Sequence, residues 1–179
     1  MNTPAHLSIG LCVSLGVCAA AGVSPEFAAG AGFASLVGSR APDWDIRLER
    51  WRRRVAALWL IGKPFRGFAV PHRGWTHWLV SACLFTAFCG LGAFLAWSEA
   101  TLPVLAGVGS GYLGHIAADS CTIRGVPAFG PWTRRPYWLL GPRLRQFMSH
   151  GGDRLVGGCA VLCSAGFAAL LVSASYGMM

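Results

Sequence analysis

HRGWTHWLVSACLFTAFCGLGAFLAWSEATLPVLAGVGSGYLGHIAAD, residues 72–119, decides the fold of this chain. It opens on His72 and His77 and closes on His115 and Asp119, and the only charged residue between His77 and His115 is Glu99. Two apolar runs, about 77–98 and about 101–119, meet at a turn around Glu99 and Pro103. Each is close to the ~20 apolar residues that a helix needs to cross hydrocarbon. A bilayer admits only helices or closed barrels. These runs are too long and too continuously apolar for barrel strands, which alternate over about 10 residues. They therefore read as a helical hairpin that crosses and returns, leaving its histidines and aspartate on one side.

Working outward, the rest of the chain has the same character. Of 179 residues, 54% are hydrophobic and 12% charged, about half the charged share of a soluble domain. Further apolar runs cover about 5–23, 27–40 and 155–176. The second of these is short, but a Gly/Ala-rich helix inside a bundle can manage with less. No basic region precedes the first run, so it reads as a retained span and not as a cleaved signal. The expected fold is an all-α polytopic membrane bundle. It has about five spanning helices and a single membrane-embedded domain over 1–179.

All 15 Lys and Arg fall in two segments, nine from Arg40 to Arg73 and six from Arg124 to Arg154. Basic loops mark the cytoplasmic side, so loops 40–76 and 120–154 are expected there, with the N-terminus inside and the C-terminus outside. In the first loop Leu48, Trp51, Val55, Leu58 and Trp59 recur at intervals of three and four among arginines. That pattern predicts an amphipathic helix in the interface, anchored to anionic headgroups. The second loop has Pro127, Pro131, Pro136 and Pro142, and an irregular cap over the bundle is expected. The formal charge of +8 comes from these loops. No base-recognition motif accompanies it, so nucleic acid is not an expected partner and membrane lipid is. The six cysteines inside apolar runs have no CxxC spacing and read as small hydrophobes; Cys121, just past Asp119, is the exception.

On this topology His6, Asp43, Asp45, His72, His77, His115, Asp119 and Asp153 all reach the same face. The topology was drawn from Lys and Arg alone, so the convergence is a separate sign of a site. His115 and Asp119, four apart, share a helix face. Gly74 predicts a turn that delivers His77 to a helix N-terminus, with Thr76 as a candidate cap. Mixed imidazole and carboxylate ligands suit zinc, manganese or iron(II) better than magnesium or calcium. A divalent metal, with zinc as the expected ion, would be held by His6, Asp45, His77, His115 and Asp119. Asp43 and His72 are the candidates for general base. Arg73, Arg124 and Arg154 are the candidates for holding an anionic substrate group. Bland readings stand beside these. His6 is near a terminus, His72 beside Arg73 could simply meet headgroups, one Asp of the PDWD segment could pair with Arg40 or Arg47, and His150 reads as solvated.

The segments PDWD (42–45), HRGWTH (72–77), GYLGHIAAD (111–119) and the following T-x-x-G-V-P (122–127), with an early histidine at His6, resemble the YdjM-like family of membrane-bound hydrolases. The resemblance covers about residues 5–156. It implies a metal-dependent hydrolase in the inner membrane of a bacterium. Two departures stand out: Trp78 occupies a position where that family usually has Ser, and Asp153 one where Glu is common. The H-x-x-x-D helix also looks like the ligand pattern of zinc-dependent phospholipase C and all-α nucleases related to it. The expected activity is hydrolysis of a phospholipid or other phosphoester at the cytoplasmic face. The competing classes are a non-enzymatic membrane protein with a structural metal or ion-pair site, and a transporter. A transporter fits less well because transport sites usually lie near the midplane.

Overall fold

The computed structural model describes residues 3–46, 51 and 73–176. Among the described residues the framework is α1 (Thr3–Ala20), α2 (Pro25–Gly38), α3 (Leu79–Ala96), α4 (Thr101–Ser120), α5 (Pro142–Phe147) and α6 (Asp153–Tyr176). Single 3-10 turns at Trp75–His77 and Ser98–Ala100 lead into α3 and α4. Among the described residues there is no strand, only an isolated bridge between Val126 and Tyr137.

Local chemistry explains the boundaries. Ser24 caps α2 by accepting from the Phe27 amide at 3.3 Å, Pro25 sits where its missing N–H costs nothing, and Glu26 lies in the first turn. Between α5 and α6 the helical path breaks at His150 and Gly151, and the φ of 115° at Gly151 is open to glycine and to few others.

Among the described residues, three helical stretches are long and apolar enough to cross a membrane: Thr3–Ala20, Leu79–Ala96 and Pro142–Tyr176. The sequence reading expected about five. The difference lies in α2, which has 14 residues, and α4, which has 20 but carries His115, Asp119 and several glycines. The reason is position in the bundle. α4 packs against α1, α2 and α3 at once, so much of its surface meets protein and need not be apolar. α3 is the opposite case, with only Ala82 and Gly90 buried and Leu84, Phe88, Leu91, Phe94 and Leu95 turned outward. Such a surface belongs in lipid.

Glycine sets how near the neighbours of α4 can come. A Cβ on Gly111 would lie 2.1 Å from the Ser35 carbonyl oxygen, and one on Gly107 would lie 2.1 Å from that of Ala31. On the other side a Cβ on Gly114 would lie 3.3 Å from the Cα of Gly10. α4 is therefore in backbone contact with both α1 and α2. Gly111 and Gly114 immediately precede His115 in this surface, and Gly10 lies one turn after His6.

The segment after α4 folds back across this end of the bundle. The Leu79 amide donates to the Ala128 carbonyl at 2.9 Å, and the Leu139 amide to that of Ser120 at 3.2 Å. The irregular cap expected over 120–154 thus gives way to the short α5 at Pro142. The amphipathic helix expected around Leu48–Trp59 lies, Trp51 aside, outside the described residues. Of the cysteines, Cys83, Cys159 and Cys163 are exposed on the outer helix surfaces instead of buried.

Candidate metal centre

Four segments converge at the buried end of α4. α4 itself supplies His115 and Asp119 on one face, α1 supplies His6, the turn after α2 supplies Ser39, Asp43 and Asp45, and the turn before α3 supplies Arg73, Thr76 and His77. His6, Asp45, His77, His115 and Asp119 are all buried. The close α1–α4 crossing lays the His6 ring on that of His115, with centroids 3.8 Å apart and planes at 15°. His77 meets His115 edge-on at 5.3 Å.

The Nδ1 of His115 lies 2.8 Å from the Ser39 carbonyl oxygen. A carbonyl only accepts, so Nδ1 carries the proton and donates. Nε2 then presents its lone pair to the interior, 3.7 Å from Asp43 Oδ1 and 3.9 Å from Asp119 Oδ2. This Nε2 is buried and has no hydrogen-bond partner among the described residues, and the same holds for His6 Nδ1. An orphaned buried acceptor costs about 1–3 kcal/mol, which a cation at that point would remove. His77 Nε2 lies 3.6 Å from Asp119 Oδ2, and His6 Nε2 3.3 Å from Asp119 Oδ1. Among the described residues, two groups offer ligand atoms within 4.8 Å of one another: His77, His115 and Asp119; and His6, Asp43 and His115. The donor set, orphan atoms and spacing fit a divalent cation.

Behind these atoms stands a frame that fixes them. Asp45 Oδ2 accepts from the Arg73 amide at 2.9 Å and from the Thr76 hydroxyl at 3.3 Å, and Oδ1 accepts from the Ile46 amide at 2.6 Å. Thr76 Oγ1 is also 3.1 Å from His77 Nδ1, and the Tyr112 hydroxyl donates to the Thr76 carbonyl. Arg73 ties the frame together. Its Nη2 is 2.7 Å from Asp119 Oδ1, and its Nη1 donates to Thr122 Oγ1 at 2.9 Å and to the Gly125 carbonyl at 3.0 Å. Its φ is 63°, a left-handed conformation that costs a non-glycine residue about 1 kcal/mol or more. That strained turn lets one residue give its amide to Asp45 and its guanidinium to Asp119.

The placement of the sequence candidates differs from expectation in several ways. Asp45, expected to ligate, stands behind His77 at 3.8 Å from its Nδ1. Asp43, expected as base, stands among the candidate ligand atoms. Asp43 Oδ1 meets His115 Nε2, whereas Asp45 Oδ2 meets His77 Nδ1. Thr76 does not cap α3, whose N-terminus has no side-chain cap; its hydroxyl serves Asp45 and His77 instead. Arg73, expected to hold substrate, is engaged with Asp119 and also lines a cleft. Arg124 is exposed and lines a cleft beside Arg73, whereas Arg154 lines a separate groove with Pro4 and Ser8. His72 lies outside the described residues. His150 is exposed and hydrogen-bonds the Gln146 carbonyl. Cys121 is half-buried, and burial pushes its thiol up, away from a reactive thiolate.

Ser39 carries no signal in the sequence, because it acts through its backbone carbonyl; Thr122 and Gly125, which belong to the T-x-x-G-V-P segment, accept from Arg73. Comparison with known proteins agrees with the motifs. No curated protein and no solved structure matches the chain. A family model described as YdjM inner membrane protein matches residues 1–176. That match spans the early histidine, the paired aspartates, the HRGWTH turn and the HIAAD helix whose side chains converge here, and the chain belongs to the YdjM inner membrane protein family.

Proposed function

We propose that this protein is a metal-dependent hydrolase of an ester or phosphoester, working at the cytoplasmic face of the inner membrane. The observation that carries the reading is the His115 imidazole, buried, fixed by the Ser39 carbonyl through Nδ1, and presenting an unpartnered Nε2 among His77, Asp119, Asp43 and His6. His77, His115 and Asp119 would hold the ion, with His6 beside them. Both candidate groups use the same His115 nitrogen, which can bind one cation, so a single ion, zinc by its donor types, is the simplest occupancy. A bound ion of this kind supplies polarisation of the substrate oxygen and a water whose pKa falls toward about 7.

The chain's own residues supply the rest. Asp43 is the most accessible carboxylate of the cluster, 27% exposed at its side chain against 2% for Asp119. It is therefore the group that can accept a proton from the attacking water. Asp45 and Thr76 hold His77, and Arg73 holds Asp119 while facing the opening to the cleft. The topology that goes with this reading has five spans, with α2 and α4 as short or polar members shielded by their neighbours. Its N-terminus and both basic loops lie inside, and anionic headgroups sit against the loops.

A second reading rests on one observation: Arg73 at 2.7 Å and His6 at 3.3 Å already partner Asp119, so the cluster could be a structural ion-pair network. The assay that separates the two is hydrolysis of phospholipid and generic phosphoester substrates by purified protein, with and without chelator. The hydrolase reading expects turnover that chelation abolishes and that His77→Ala, His115→Ala or Asp119→Ala lowers by at least about 100-fold. Turnover that survives both treatments would remove it.

A further inference from the structure

Where Arg73 leaves the ligand cluster, a cleft of about 500 Å3 opens, walled by Arg73, Thr122, Arg124, Ser149 and Asp153. Arg73 belongs to both places. One guanidinium nitrogen holds Asp119, while its Nε is buried without a hydrogen-bond partner among the described residues, and its side chain is 10% exposed. Ser149 Oγ accepts from the Ile123 amide at 3.1 Å, which leaves its hydroxyl proton to donate. Arg124 is exposed at the rim. The guanidinium of Arg124, which can meet phosphate oxygens in a planar fork, the Ser149 hydroxyl and the one uncommitted N–H of Arg73 around one cavity suit the oxygens of a phosphate.

The depth of the cleft says which phosphate. Asp153 begins α6, and α1 begins at Thr3. Both helices belong to stretches apolar enough to cross a membrane, so the cleft sits at headgroup level. A second groove, of about 280 Å3, shares Asp153 and runs between α1 and α6 past Ala5, Ser8, Gly157, Gly158 and Val161. Gly158 has nothing within 4 Å of the place a Cβ would take, and Val161 is turned outward. The polar cleft and the more apolar groove thus adjoin at Asp153, which lines both. A soluble phosphate has no use for that groove, but an amphiphile does.

We propose that cleft and groove are one site for an anionic phospholipid. Its phosphate lies against Arg73, Arg124 and Ser149, and one acyl chain lies along Gly157, Gly158 and Val161. The assignment rests on the hydrolase reading for the fate of the lipid and names its substrate class; the binding itself stands apart. It also separates the basic residues by role: Arg124 reads the headgroup, and Arg154 borders the chain.

The test is binding, on the full chain in a maltoside detergent, titrated with phosphatidylglycerol and followed by native mass spectrometry, with metal content measured on the same samples. Arg124→Gln is expected to weaken lipid binding about tenfold, the loss of one charged hydrogen-bond partner. Gly158→Leu fills the groove where the backbone leaves open space. It is expected to weaken the long-chain lipid at least about threefold, while glycerol 3-phosphate competes as well as it does against wild type. Unchanged lipid binding in both variants would overturn the site. Glycerol 3-phosphate binding as tightly as phosphatidylglycerol would assign the cleft to a soluble phosphoester and overturn the lipid assignment. Metal-dependent phospholipid hydrolysis untouched by either substitution would overturn this site and leave the hydrolase reading standing. Lipid binding lost in both variants by a protein that hydrolyses nothing would support the site and remove the hydrolase.

Discussion

At the scale of the residue, the account turns on groups that hold other groups. Thr76 and Asp45 steady His77 from behind, and residues in that position typically set metal affinity by 10–100-fold. Thr76→Val and Asp45→Asn are each expected to weaken metal binding within that range while the protein still folds, as read by competition with a chromogenic chelator. Affinity equal to wild type in both would show that the frame does not act on the ion. These side chains also mark how far the sequence could be read. The spacing of His115 and Asp119 showed a shared face without any structure, and the glycine after Arg73 showed that a turn would bring His77 in. The division of labour between Asp43 and Asp45 was not legible, because which of them meets His115 and which meets His77 depends on packing that the sequence does not place. Neither was the Ser39 carbonyl, since every residue has one. The left-handed turn at Arg73 is likewise silent in sequence, where arginine gives no hint of a positive φ.

At the scale of the element, the site exists because α4 touches α1 and α2 backbone to backbone. Gly111→Val would drive a side chain into the Ser35 carbonyl, where only a helix shift makes room. A destabilisation of about 1–3 kcal/mol is expected, together with loss of metal, because the same shift parts His6 and Ser39 from His115. Thermal unfolding in detergent and metal content would read the two effects. Gly166→Val is the control, since nothing lies within 4 Å of its added Cβ, and it should change neither. If Gly111→Val kept its metal and its melting temperature, close packing would not be what assembles the centre. The Gly/Ala-rich run at 27–40 announced the close packing of α2 in the sequence. Hydropathy announced α1, α3 and α6 equally well. It could not say that α4 is the central helix, because a helix wrapped by protein and a helix too polar for lipid have the same composition.

At the scale of the whole molecule, membership of an inner membrane family and three membrane-compatible helices leave the sidedness to the basic loops. The five-span proposal expects a reporter at the C-terminus to be active only outside the cytoplasm, and one inserted in the 120–154 loop to be active only inside. The opposite pattern would move the site to the other face without touching its chemistry. The chemistry itself depends on whether an end of this bundle, built from three imidazoles and the carboxylates around them, holds a cation. The direct measurement is elemental analysis of the purified full-length protein beside a folded His115→Ala/Asp119→Ala variant. The account predicts about one divalent ion per wild-type chain and essentially none in the variant. Equal metal content in the two would contradict it.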